Sequence, residues 1–429
     1  MQSQETTQAA SGLAAYWSRI AAVWRQNDYR WYWLSSAVQG LAQGTQFMVI
    51  GWLVLEITQS SSQLGLVILL YGAPNVSLLL LAGVVADRFD RRYILMFTQA
   101  TVAGVLAALA VLTVTDLVAI WHVYTAAVLM GAVQAISMPA RMTMIGDLVQ
   151  RQSVLDAVAL QGAAVHAGRI IGPPVAGVII EVWGVGLSLF VFAGCYVAAV
   201  VLVGKIGRLR RSLPAATQSV FRNCADGLVY IKNNPMVLTV IVITCAFGGF
   251  GMAHMQVIPA MAKDSLGTGA AGVGLLFLAS GLGSLTGSLL LPTVGRAYVY
   301  RGLLLSLVLF TVTLSLFAWS NWFWASWVLF LLVGIVGLGM VWPLATTMIQ
   351  TETSSEVRGR VMGILQFAPG FHLVGAFPLA LAAGQFGWEV AITGSAGLSL
   401  ATTVWFALVR RGAPKLSRHE SNAVLGADC

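Results

Sequence analysis

Apolar stretches of about 20 residues recur along almost the whole chain, each long enough to cross a bilayer core of roughly 30 Å as a helix. Short polar breaks separate them. Setting runs against breaks predicts twelve helical spans. The first six lie near 32–56, 63–86, 93–115, 118–140, 154–180 and 186–206. The second six lie near 236–260, 269–294, 301–319, 322–346, 360–383 and 388–409. Barrel strands alternate over about 10 residues, and these runs are too long and too continuous for that. Backbone polar groups in lipid must be bonded internally, which leaves helices. The pattern is that of an all-α polytopic membrane protein.

Composition sharpens this. Of 429 residues, 58% are hydrophobic and 9% charged, whereas a soluble surface needs about a quarter of its residues charged. The net charge of +8 acquires meaning from its placement. All but two of the 24 Lys and Arg fall in the even-numbered loops or the termini, the exceptions being Lys263 in an odd loop and Arg169 inside a span. The odd loops carry Glu56, Asp116, Glu181, Asp264 and Glu389. Basic loops mark the cytoplasmic side, so both termini are expected inside a bacterial inner membrane. The charge therefore reads as an insertion and headgroup signal, with the lipid bilayer as partner and no nucleic acid. Trp31 and Trp33 at an inner helix start, and Trp322, Trp324 and Trp327 at an outer one, suit interfacial belts. The first 30 residues hold Arg19, Arg25 and Arg30 without a long apolar core, so no cleavable signal peptide is expected. Cys195, Cys224, Cys245 and Cys429 have neither metal spacing nor a disulfide framework. No metal or cofactor is expected, and a monomer is.

The chain also repeats. Pro139, Thr143, Met144 and Ile145 match Pro343, Thr347, Met348 and Ile349 at an offset of 204, and Gln161 and Pro173 match Gln366 and Pro378 at 205. Both copies begin on the same side, as in a parallel repeat of six spans about an axis along the membrane normal. The expected organisation is a cytoplasmic segment 1–30, a six-helix bundle 31–206, a polar linker 207–235, a second bundle 236–410 and a tail 411–429.

Between the second and third spans stands "GVVADRFDRR", with Gly83, Asp87, Arg88, Arg91 and Arg92. In the fifth, "GRIIGPPVAG" supplies Gly168, Gly172, Pro173 and Gly177. Together with twelve spans in two halves and a basic central loop, these resemble the major facilitator superfamily of transporters. The loop matches that family's Gly-x-x-x-Asp-Arg-x-Gly-Arg-Arg, with Asp90 standing where a Gly is preferred. The fifth span resembles its antiporter motif, with Ala176 replacing one Gly. "QNDYRWYWLSSAVQG" and "EVRGRVMGI" are similar to the branch of enterobactin exporters and macrolide efflux proteins. The resemblance implies a secondary transporter working by alternating access, and export rather than uptake. It also implies that Asp87 latches the second span to the cytoplasmic end of the eleventh. There Glu356, Arg358 and Arg360 are expected to complete a charge cluster with Asp87, Arg88 and Arg91.

Other residues bear on the cargo. Small residues at 168, 172 and 176, and at 279, 283 and 287, form two faces that allow close helix approach. Such faces serve generic packing, or they meet across the halves and seal the outer side. Pro173 and Pro174 are expected to bend the fifth helix. Arg169 lies mid-span, where a charge costs roughly 2.5–3.5 kcal/mol, so it should face the bundle interior. Either helix carbonyls and Gln side chains satisfy it, or it recognises an anionic, carboxylate- or phenolate-bearing small molecule. Ser36, Gln39, Gln43 and Gln46 form a polar stripe on the first span. With Phe250 and His254 of the seventh and Gln366 and His372 of the eleventh, they are candidate cavity lining. His166, His254 and Asp156 are the candidate proton sites, protons being the expected coupling ion. Gly281, Gly283 and Gly287 sit in a span, out of register for a phosphate loop. Nothing resembles an ATP-binding domain, so an ion gradient would drive transport. Uptake or lipid flipping by the same fold, and a transport-inactive receptor, are the alternatives. An enzyme would need clustered His, Asp or Glu near one leaflet, which the spans lack.

Overall fold

The computed structural model describes residues 20–207, 220–295, 298–365 and 367–409. Every regular element among them is helical. We label them α1 (Asn27–Thr58), α2 (Ser61–Arg88), α3 (Arg91–Val114), α4 (Ile120–Leu148), α5 (Val154–Gly204), α6 (Val220–Asn233), α7 (Pro235–Ala246) and α8 (His254–Ser265). Then follow α9 (Ala270–Leu290), α10 (Val299–Ala318), α11 (Phe323–Val336), α12 (Trp342–Glu352), α13 (Ser355–Leu365), α14 (Phe371–Phe386) and α15 (Trp388–Val409). Among the described residues nine helices are long and apolar enough to cross a membrane.

Local chemistry sets the element ends. Asn234 accepts from the amides of Met236 and Val237, and Pro235 occupies the first turn of α7, where its missing N–H costs nothing. Asp90, the departure from the loop motif, caps α3 by accepting from the Arg92 amide at 2.9 Å. Its acidity is a helix signal. The backbone of α5 runs on through Pro173 and Pro174 and leaves helical geometry at Gly184, where φ is 82°. A positive φ of that size suits glycine, so the break in helical geometry falls there. One turn of π-helix, Phe247–Gly251, joins α7 to α8, and another, Gly337–Val341, joins α11 to α12. Residues 220–233 of the linker are themselves helical.

Six interhelix turns gather at one end of the molecule. Lys263 donates to Gln59 Oε1 at 3.0 Å, Tyr124 donates to Gln63, and Glu181 accepts from the Ala271 amide at 3.0 Å. Trp388 donates to Asp264 at 3.0 Å, Trp319 donates to Thr393 at 3.3 Å, and Gly186 packs on Val114. At this end residues 27–204 meet residues 235–409 closely. A Cβ added at Gly177 would stand 2.5 Å from the Ala270 carbonyl oxygen, and one at Gly274 2.6 Å from that of Pro173. One at Gly65 would stand 2.7 Å from Ala380 Cβ, and one at Gly72 2.6 Å from Leu373 Cβ.

The two small-residue faces do not themselves meet. A Cβ at Gly168 or Gly172 would overlap α1 at Gly40, Leu41 and Thr45, and one at Gly283 or Gly287 would overlap α11 at Leu331 and Ile335. Each face binds helices of its own half. The cross-half contacts come from their flanks, at Pro173, Gly177, Gly274 and Gly281. Small residues let backbones touch, and each is needed where the nearest backbone is.

Candidate substrate-binding site

The interior of residues 27–204 is polar. Gln39, on α1 and 2% exposed, is its hub. Its Oε1 accepts from Gln99 Nε2 of α3 at 2.7 Å and from the Arg141 guanidinium of α4. Arg141 is 8% exposed, and its carbonyl accepts from the Tyr32 hydroxyl at 2.9 Å. A span ending at 140 leaves Arg141 in a loop, but α4 continues to Leu148 and carries it inside the bundle. A charge ends an apolar window in hydropathy, yet "RMTMIGDL" keeps helical spacing beyond it, and that is the available signal.

One turn and more along α1, the buried Gln46 accepts from Tyr196 of α5 at 3.4 Å and also bonds the buried Tyr71 of α2. Arg169 packs its Cα against Gly44, where an added Cβ would stand 2.7 Å away, and its side chain is exposed. Gln99, Gln39 and Arg141 in one hydrogen-bonded cluster, Tyr196 and Gln46 in a second, and Arg169 beside Gly44 thus set a polar path along α1. Gln39, Thr98, Gln99, Gln134, Ser137 and Tyr196 line a small cleft beside it. Among the described residues neither Arg141 nor Arg169 is in an ion pair. His166 is exposed one turn from Arg169 and within its electrostatic reach. Gln43 and Asp156 are half-buried.

The expected lining from the second half separates. His254 is 1% exposed, wedged between the rings of Phe310 and Phe330 at 5.9 and 5.8 Å, with Nδ1 2.6 Å from the Gly251 carbonyl. A carbonyl only accepts, so Nδ1 carries the proton. His254 therefore belongs to an aromatic core with Phe247, Phe310, Phe317 and Phe330, not to a cavity wall or an accessible proton site. Phe250 is 40% exposed, and its carbonyl accepts from Ser395 of α15 at 2.7 Å. His372, half-buried on α14, lies within electrostatic reach of His254. Gly83 and Asp87 lie in the helical backbone of α2, their surroundings outside what the structure describes, and Gln366 lies outside the described residues.

At the end opposite the gathered turns, Arg91 pairs with Asp147 of α4 and also reaches the Thr143 carbonyl at 3.5 Å. Arg92 donates to the Gly204 carbonyl. Arg88 ends α2. Glu356 is exposed in the first turn of α13, Arg358 turns back on the Thr353 carbonyl at 3.1 Å, and Arg360 donates to Asp226 of α6 at 3.2 Å. Asp147 and Asp226 are not among the partners expected from the sequence.

Known proteins place this geometry. A family model described as a transmembrane secretion effector, of the major facilitator type, matches residues 18–423. A staphyloferrin A transporter of Staphylococcus aureus is 24% identical over 383 residues, covering 87% of this chain and 94% of that protein. The multidrug efflux pump Tap of Mycolicibacterium fortuitum is 27% identical over 359 residues, 80% of this chain and 87% of Tap. The enterobactin exporter EntS of Escherichia coli is 24% identical over 338 residues, 72% of this chain and 73% of EntS. Among solved structures, the nucleoside transporter NupG superposes with a TM-score of 0.69 at 14% identity, covering 90% of this chain and all of NupG. A bacterial homologue of the lysosomal transporter Spinster, in an inward-facing and unoccupied conformation, gives 0.63 at 13%, covering 91% and 95%.

Proposed function

We propose, from the premise that this chain belongs to the major facilitator superfamily of membrane transporters, that it is a proton-driven exporter of a small organic anion. It is a multi-pass membrane protein and not an enzyme. The observation that carries the cargo class is the polar path ending at Arg169. A cation kept inside a membrane bundle without an acid is costly, and an anionic cargo offsets that cost during transport. Export is favoured by the siderophore exporter and drug pump among the relatives.

Twelve passes fit the helices. To the nine long apolar ones, the division of α5 at Gly184, helix α2 and the α13–α14 pair add three. The basic loops put the gathered turns on the outer side and both termini in the cytoplasm. The close contacts at Gly65, Gly72, Gly177 and Gly274 then shut the outer gate, which makes this an inward-facing form. The latch at Asp87 works at the opposite end. His166, exposed one turn from Arg169, is the favoured proton site. The protein acts as a monomer, each chain holding its own path.

The test is deletion and overexpression of the gene, followed by a toxic-compound panel and comparison of compounds inside and outside the cells. An organic anion that accumulates inside the deletion strain supports export. Its depletion inside that strain would mean uptake instead. Asp87→Asn should keep membrane expression and lose most transport; a wild-type rate would remove the latch.

A further inference from the structure

The first half holds two cations along its polar core, and both meet α1. Arg141 engages it at Gln39 and Arg169 at Gly44. Five residues of helix separate those levels by about 8 Å along the axis. Among the described residues no carboxylate pairs with either. Arg141, buried without a carboxylate, is held at a cost, and a second cation along α1 repels it. Such an arrangement is stable in water-filled or ligand-filled surroundings and strained in apolar ones. The cleft beside Arg141 is also incomplete. Gln99 is 2% exposed and lines it, yet its Oε1 has no hydrogen-bond partner. The Arg141 Nη2 donor is held by Gln39, and the guanidinium fork has four further N–H donors.

We infer that the polar core of residues 27–204 is a two-point site for an organic dianion, one anionic oxygen group on Arg141 and the other on Arg169. The inference deepens the proposed export of anions and rests on that reading for its transport role. It adds a spacing and a second anchor. A monoanion satisfies one guanidinium and leaves the other unpaired, and a cation meets repulsion at both. Gln39 fixes the near guanidinium, and the far arginine stands beside Gly44.

The experiment uses the purified full chain in lipid nanodiscs, titrated by tryptophan fluorescence with three probes of equal length. These are suberate with two carboxylates, octanoate with one, and 1,8-diaminooctane with two ammonium groups. Suberate should bind at least tenfold tighter than octanoate, and diaminooctane should not compete. R141Q and R169Q should each bring suberate down to the octanoate level, while R141K should keep most of the difference. Equal binding of suberate and octanoate, or suberate binding unchanged in R141Q, would overturn the inference. Should R141Q not fold, R169Q at an exposed side chain decides between the same two outcomes. The result is separable from that of export. Secretion of only neutral or cationic compounds would leave an exporter and remove the dianion site. Suberate binding that needs both arginines, in a strain that secretes nothing, would do the reverse.

Discussion

The two halves of this molecule have interiors of opposite character. In residues 27–204, Gln39, Gln46, Gln99, Tyr71, Tyr196 and Arg141 are buried against one another, with Arg169 at the edge. In residues 235–409, Phe247, Phe310, Phe317 and Phe330 pack around the buried His254, with Phe317 and Phe330 stacked 4.7 Å apart. An aromatic core gains its stability from burial and ring geometry and asks nothing of a ligand. A polar core in lipid is expensive unless something uses it. The difference teaches where recognition sits. On the proposed reading, residues 27–204 bind the cargo and residues 235–409 provide a stiff body for them to rock against.

The comparison breaks most visibly at the arginines. Arg169→Ala should lower export at least tenfold while leaving membrane yield near wild type, measured as intracellular accumulation of the cargo. Arg169→Lys should retain part of it. In the other core, His254→Phe should change thermal stability by roughly 1–3 kcal/mol through overpacking and leave export within twofold. Export that fails with His254→Phe and survives Arg169→Ala would invert the assignment.

Packing gives the next effect. Gly168→Val would drive a branched side chain into α1 at Gly40, and the folded yield in detergent should collapse. The same change at Gly194, where an added Cβ meets nothing within 4 Å, should be tolerated. Smaller again is the gate. Cysteines at Ser62 and Gly384, where an added Cβ would stand 3.4 Å from the Ser62 hydroxyl, should form a disulfide readily in the resting protein and less so during turnover. Lys263→Ala, which removes the bond to Gln59, should lower that cross-linking two- to threefold. The smallest effect belongs to Asp90→Ala, a lost helix cap of about 1 kcal/mol seen in the melting temperature, with export unchanged.

Much of the helical architecture is legible because membrane helices announce themselves by length and hydropathy. Spans expected at 63–86 and 388–409 appear as Ser61–Arg88 and Trp388–Val409. The exception is instructive. Arg141 ends the apolar window of the fourth span, so the most buried cation of the site reads as a loop charge. Hydropathy counts a charge as exposed, whereas Tyr32, Gln39 and Tyr196 make a place for this one. Pairings are less legible still. Periodicity puts Gly168, Gly172, Gly283 and Gly287 on faces without saying which helix each face meets. It puts His254 on α8 without saying that it turns toward Phe310 and Phe330. Asp90 looks like a flaw in a motif and is a cap, a role visible in "FDRR" only once Arg91 is known to begin a helix.

The central claim is that an organic anion leaves the cell through Arg169. Its most direct test is mass spectrometry of medium and cytoplasm from a deletion strain carrying the wild-type gene, Arg169→Ala or an empty vector. The account predicts an anionic compound that is secreted with the wild type and retained with both others. Identical profiles in the three strains, or secretion by Arg169→Ala equal to wild type, would contradict it.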